Sequence, residues 1–300
     1  MTTTRAARAC GRVVALCAVV GCAQDDGDGE PGQDQRSARP GGALTVEVTN
    51  EQAYSMPAPK ASVEQRRSFF VGNSLFTSGW VTAPSAVVGR DGLGPTFNAT
   101  ACASCHVRDG RGRPPLAEDE AASDLLLRLS VPGDGEHGEP APDPVYGGQL
   151  NPRGVLGVEA EGQLFVRYVE QPGAYPDGTP YALRVPSYEV LELAFGPLDP
   201  QVMMSQRVPP GMAGLGLLEA IRAQEVEARA DPDDADADGI SGRPNQVWSV
   251  RRQRMELGRF GWKANQPDLE QQAAGAFLGD IGVTTALFPS ENCTSEQARC

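Results

Sequence analysis

Aromatic residues make up only 6% of these 300 residues, while Gly (35) and Pro (25) are plentiful. That balance argues against a fold held by its own apolar core alone and for a loop-rich one. Basic residues are too few to offset the acidic ones. The formal charge of −13, with no basic stripe, speaks against nucleic acid and anionic membrane surfaces as partners. No apolar run is long enough to cross a bilayer; the N-terminal run from Val13 to Val20 is too short. Histidine occurs twice, as His106 and His137, which removes the second ligand pair that a zinc site would need. A hydrophobic content of 40% still fits a globular protein with one large or two small domains.

The first 22 residues read as an export signal. Arg5, Arg8 and Arg12 form a cationic region ahead of the short apolar one. Val19-Val20-Gly21-Cys22 resembles the lipobox of bacterial lipoproteins, in which Cys22 would carry lipid; an ordinary signal cut nearby is the alternative. Both place the protein outside the cytoplasm, the first on the periplasmic side of a membrane through an N-terminal anchor. Residues 23–61 are rich in Asp, Gly, Gln, Pro and Ser and read as a disordered acidic tether, leaving 62–300 as the folded domain.

Within that domain stands Cys102-Ala103-Ser104-Cys105-His106. Two thiols separated by two residues, with an imidazole next to the second, suit the covalent attachment of one c-type haem, His106 serving as proximal iron ligand. The competing readings are a redox dithiol, which should follow a strand in a βαβ pattern, and half of a zinc site. Neither context is present. Once export and haem have claimed their cysteines, Cys293 and Cys300 remain, seven positions apart, as candidates for a disulfide in an oxidising compartment.

Ser62-Val63-Glu64-Gln65 has the form of a capping box and predicts a helix through Phe76, with Gly72 and Phe76 one turn apart. Alternating apolar residues over Leu164 to Val169 and Tyr181 to Val185, with a turn at Asp177-Gly178, predict a β-hairpin. Further helices are expected from Leu215 to Glu227 and from Pro267 to Phe277. The expected fold class is therefore mainly α: a cytochrome c-like haem domain with long loops and a small β-hairpin insertion.

Asp234-Ala235-Asp236-Ala237-Asp238-Gly239-Ile240 opens like an EF-hand calcium loop, offering Asp234, Asp236, Asp238 and the Ile240 carbonyl. Its twelfth position is Asn245 rather than glutamate, and an unoccupied acidic surface loop is the plain alternative. For the distal haem position the candidates are Met212, preferred because it sits in the Pro/Gly loop Arg207 to Met212, then Met203, Met204 and His137.

Several stretches resemble the di-haem oxidoreductases of the bacterial cytochrome c peroxidase and MauG-like group, in particular its thiol oxidoreductase branch. These are Asp91-Gly92-Leu93-Gly94-Pro95-Thr96-Phe97-Asn98, the haem motif with Asp109-Gly110-Arg111-Gly112, Tyr146-Gly147-Gly148-Gln149-Leu150, Gly214 to Ile221, Asp238 to Asn245, and Gly258-Arg259-Phe260-Gly261-Trp262-Lys263. The resemblance implies a periplasmic c-type fold with covalent haem and bound calcium. The family's second Cys-x-x-Cys-His does not occur here, so the chain is expected to correspond to an N-terminal haem half cut before a second haem domain. The leading functional expectation is single-electron transfer to a redox protein or small molecule. The alternatives are a peroxidase or thiol/protein oxidoreductase that needs a second haem domain, and a haem-free, calcium-stabilised binding lipoprotein.

Overall fold

A computed structural model of the chain describes residues 39–117, 122 and 125–300. The signal, Cys22 and the tether as far as residue 38 lie outside the described residues. The chain divides into two compact units, Met1–Ala43 and Leu44–Cys300, and among the described residues the α-helices and strands belong to the second.

The expectation of a mainly α fold is overturned: the structure is 19% helical with 22% strand, with four short α-helices and several small sheets among the described residues. The reason lies in the composition. Each glycine inside a helix costs about 1 kcal/mol and each proline about 3 kcal/mol, so few stretches here can stay helical beyond two turns. Helix α1, Val63–Thr77, is the exception. Its capping box closes as the sequence suggests, Gln65 N–H donating to Ser62 Oγ and Ser62 N–H to Gln65 Oε1. None of its residues is buried.

The strands pair in four antiparallel twos. β1 (Thr96–Phe97) pairs with β3 (Arg153–Gly154), β2 (Leu126–Ser130) with β6 (Met203–Arg207), β4 (Gln163–Ala174) with β5 (Pro180–Leu191), and β7 (Gln246–Ser249) with β8 (Arg254–Leu257). On β2 the period of two turns Leu127 and Leu129 into the core with Tyr146 and Leu150, and puts Arg128 on the opposite face. The predicted hairpin is present but longer than the apolar alternation marked. Leu164 and Val190 pack on the core, while farther along the ribbon Val169 and Leu183 stay exposed.

The single helix expected over 215–227 is two, α2 (Leu215–Ala220) and α3 (Ala223–Glu227), with extended backbone at Ile221 and Arg222 between them. The Arg259 guanidinium donates to the carbonyls of Leu218, Glu219 and Ile221 and so satisfies the end of α2. Helix α4 (Leu269–Ala276) starts at Asp268, whose side chain accepts the Gln271 N–H, and runs into a π-helical turn at Phe277–Ile281.

That turn is what positions the site. Gly94 N–H donates to Ile281 O at 3.1 Å, and Asn98 and Ala99 both donate to Asp280 O. The crossing is so tight that a Cβ on Gly94 would lie 2.1 Å from Gly282 O, so only glycine fits. The segment leading into Cys102 is thereby fastened to Asp280. At the C-terminus Cys293 and Cys300 form a disulfide, Cα to Cα 5.6 Å.

Candidate haem site

Cys102–Ser104 forms a 3₁₀ turn, and the N–H groups of both Cys105 and His106 donate to Cys102 O. Helix α1 lies against this turn, and the Phe76 ring is 5.9 Å from the His106 ring. Gly72, its expected partner on that helix, has nothing within 4 Å of the position its Cβ would take.

The imidazole of His106 is oriented by one bond. Its Nδ1 lies 2.8 Å from Pro210 O. A carbonyl only accepts, so Nδ1 carries the proton and Nε2 presents a lone pair. This is the second partner that a metal-binding histidine uses to fix its tautomer and raise its basicity. Downstream, Arg108 and Asp109 have φ of 57° and 58°, a left-handed pair that bends the chain around behind His106. Three contacts hold the bend: Arg108 with Glu51 at 2.9 Å, Ser55 Oγ donating to Asp109, and Met212 N–H donating to Asp109 O at 3.1 Å. Gly112 completes it, since a Cβ there would meet Cys105 O at 2.7 Å and Pro209 Cδ at 2.9 Å.

This geometry bears on the distal ligand. Met212 lies two residues after Pro210, the partner of His106 Nδ1, and its N–H donates to Asp109 O. Met203 and Met204 lie exposed on β6. His137 stacks on Trp248 with ring centroids 3.9 Å apart.

Both motif cysteines are thiols, not a disulfide. Burial, reinforced by the nearby Asp280 carboxylate, pushes the Cys102 thiol up to about 11. A thiol held protonated is a poor redox nucleophile, which counts against the dithiol reading. Asp280 itself is shifted upward by burial, with Gln149, Arg128 and His106 pulling the other way. Around it lies a polar cluster that sequence reasoning passed over. Gln149 Nε2 is within 2.8 Å of Asn98 Oδ1, Gly279 O and Asp280 Oδ1, and Gln149 Oε1 accepts from Arg128 at 2.8 Å. Gln149 and Asn98 stood in stretches carrying the resemblance, but neither Arg128, Asp280 nor Pro210 had a local signal.

The acidic loop draws three carboxylates together. Carboxylate oxygens of Asp231, Asp234 and Asp236 lie within 4.8 Å of one another. Asp238 instead accepts the Ile240 N–H at 2.8 Å, and the Ile240 carbonyl accepts the Gly242 N–H. Asp231 lies outside the motif as read, and Asp238 is not among the three clustered carboxylates.

The donor set at Cys102, Cys105 and His106 fits covalent haem: two thiols on one tight turn and a histidine whose free nitrogen has its tautomer fixed. Residues 35–297 match the sequence model of a family described as "Di-haem oxidoreductase, putative peroxidase". No curated protein and no solved structure matches the chain.

Proposed function

Because this chain belongs to the di-haem oxidoreductase family, we propose that it is an exported c-type haem protein that passes single electrons to and from a redox partner. Cys102 and Cys105 hold one porphyrin as thioethers and His106 binds its iron. The observation that carries this reading is the 2.8 Å bond from His106 Nδ1 to Pro210 O, which leaves Nε2 as the metal-facing nitrogen. Bound haem supplies a one-electron couple, tuned by axial ligand, hydrogen bonding and burial. The residues of the chain supply the rest. Pro210 orients the imidazole, Gly112 leaves room for the Cys105 carbonyl and the Pro209 ring on either side, and the exposed apolar side chains of α1, Phe70 and Val71 among them, are surface for a large apolar group to cover. A 15-residue helix with no fully buried residue gains from such a cover. Export is supported by the Cys293–Cys300 disulfide, a feature of oxidising compartments, and Cys22 would supply the lipid anchor. Among the described residues no helix is long and apolar enough to cross a membrane.

The test is spectroscopic. Protein from a host competent in cytochrome maturation should show a Soret band that survives acid-acetone extraction, and Cys102→Ala with Cys105→Ala should abolish it. Colourless, iron-free protein from such a host rejects the reading.

A second reading, reduction of peroxide with electrons relayed from a further haem domain, is favoured by the Asn98, Arg128, Gln149 and Asp280 cluster, which puts polar and acidic groups beside Cys102 and His106. An iron spectrum that changes on adding peroxide selects it; a low-spin spectrum that does not respond selects electron transfer.

A further inference from the structure

The β4–β5 ribbon has two faces, and the rest of the chain packs against one of them. Residues paired across an antiparallel ribbon share a face, and every second pair returns to it. On the inner face Leu164 and Val190 pack on the core and Val166 is buried. Farther along that face Tyr168 O–H donates to Pro115 O, and the Arg184 guanidinium lies over the Tyr168 ring and donates to Leu116 O. The outer face carries Leu191, Phe165, Val169, Val185, Leu183 and Tyr181, spread from base to tip. The first five are exposed, Val169 by 67% and Leu183 by 56%. Near the tip the Tyr181 ring lies on its cross-strand partner Gly173, where a Cβ would stand 2.5 Å from the ring, so the face ends flat. An apolar row of this kind, on a ribbon about 40 Å long, is the surface expected of an association site.

The edges of the ribbon are closed to added strands. Neither strand has a second neighbour among the described residues. Pro172 in β4 and Pro186 in β5 have no N–H, and a proline within a ladder stands where its nitrogen points outward. Each outer edge is therefore short of donors and a poor template for pairing. The face remains, and its charges say what covers it. The chain as a whole carries −13, so a partner drawn by charge would be basic, yet the only charged side chains on this face are Arg167 and Glu189. They pair loosely, at 3.7 Å, and are 64% and 50% exposed. A face with one charge of each sign is complementary to itself. Turned by two-fold symmetry, a second copy sets its Glu189 against Arg167 and its Arg167 against Glu189, with one apolar row on the other.

We infer that the outer face of the β4–β5 ribbon is an interface between two copies of this chain, formed by Phe165, Val169, Leu183, Val185 and Leu191 and by exchanged pairs of Arg167 and Glu189. This interface does not depend on the haem site. It gives a place to apolar side chains that neither the core nor the haem motif uses.

Sedimentation equilibrium of the full chain tests it, with Cys22→Ser in every version so that no lipid drives association. The otherwise unaltered chain should show a concentration-dependent equilibrium between monomer and dimer. Leu183→Glu should weaken the dimer by about tenfold and leave the melting temperature of the monomer unchanged, because the side chain it replaces is exposed. Arg167→Glu and Glu189→Arg should each weaken self-association. Mixing those two variants in equal amounts should restore it, since every pair across the interface is then of opposite sign. A chain that stays monomeric at every concentration overturns the proposal. So does a dimer that Leu183→Glu and the mixed variants leave unmoved, because the copies then meet elsewhere. If the chain is monomeric and co-sediments with phosphatidylcholine vesicles in a way that Leu183→Glu abolishes, the face binds lipid and the proposal falls.

Discussion

Glu161 is buried, with one carboxylate oxygen accepting the Asn151 N–H at 2.6 Å and the other accepting from Gln297 Nε2 at 2.7 Å. Burial outweighs both bonds and pushes its pKa up to about 7, against 4.5 for an ordinary glutamate. The folded chain therefore holds a proton that the unfolded chain gives up first. The contribution is fully present below pH 4.5 and is lost as pH rises through about 7, a change on the order of 3 kcal/mol. Denaturant titrations between pH 4.5 and 8 should show stability falling over that window in the parent and a flatter profile in Glu161→Gln; identical slopes would remove Glu161 as the cause. Cys102 gives a second residue-scale prediction. A thiol at about 11 rather than 9.0 has roughly a hundredfold less thiolate at neutral pH. Iodoacetamide should modify it in the haem-free chain about that much more slowly than free cysteine, and a rate equal to free cysteine would restore the dithiol reading.

Among the elements, the π-helical turn Phe277–Ile281 does most to build the site, because it carries Asp280 to the segment that leads into Cys102. Gly94→Ala would drive a methyl group into the Gly282 backbone. Backbone on both sides cannot move aside as a flexible side chain can, so a loss of about 3 kcal/mol is expected, with reduced haem loading. Unchanged melting and loading would show that the crossing has no part in the site. The acidic loop offers its own test. If it takes calcium, the clustered oxygens make Asp231 a ligand along with Asp234 and Asp236, and Asp231→Ala should abolish the rise in melting temperature on adding calcium while Asp238→Ala retains it. The reverse result would return the loop to its EF-hand reading.

At the scale of the whole molecule, the Cys293–Cys300 loop closes the structure: Gln297 bonds Glu161, and Thr294 Oγ1 donates to Val145 O beside the core residue Tyr146. Cys293→Ser should cost about 2 kcal/mol by the loop-closure estimate, read as a lower denaturation midpoint, and an unchanged midpoint would mean that these bonds hold the loop unaided. The local signals in the chain came through where the physics is local. The capping box at Ser62, the hairpin turn at Asp177-Gly178 and the Cys102 to His106 spacing each depend on residues a few positions apart, so the sequence alone determined them. The balance of helix and strand was misjudged because periodicity over Leu215 to Glu227 does not reveal that Arg259 ends the helix from a distant loop. Likewise the tautomer of His106 and the tie of Met212 N–H to Asp109 O were decided only by tertiary structure. Each arises from a contact between residues roughly 100 positions apart, and no pattern within one segment encodes which distant backbone will arrive there.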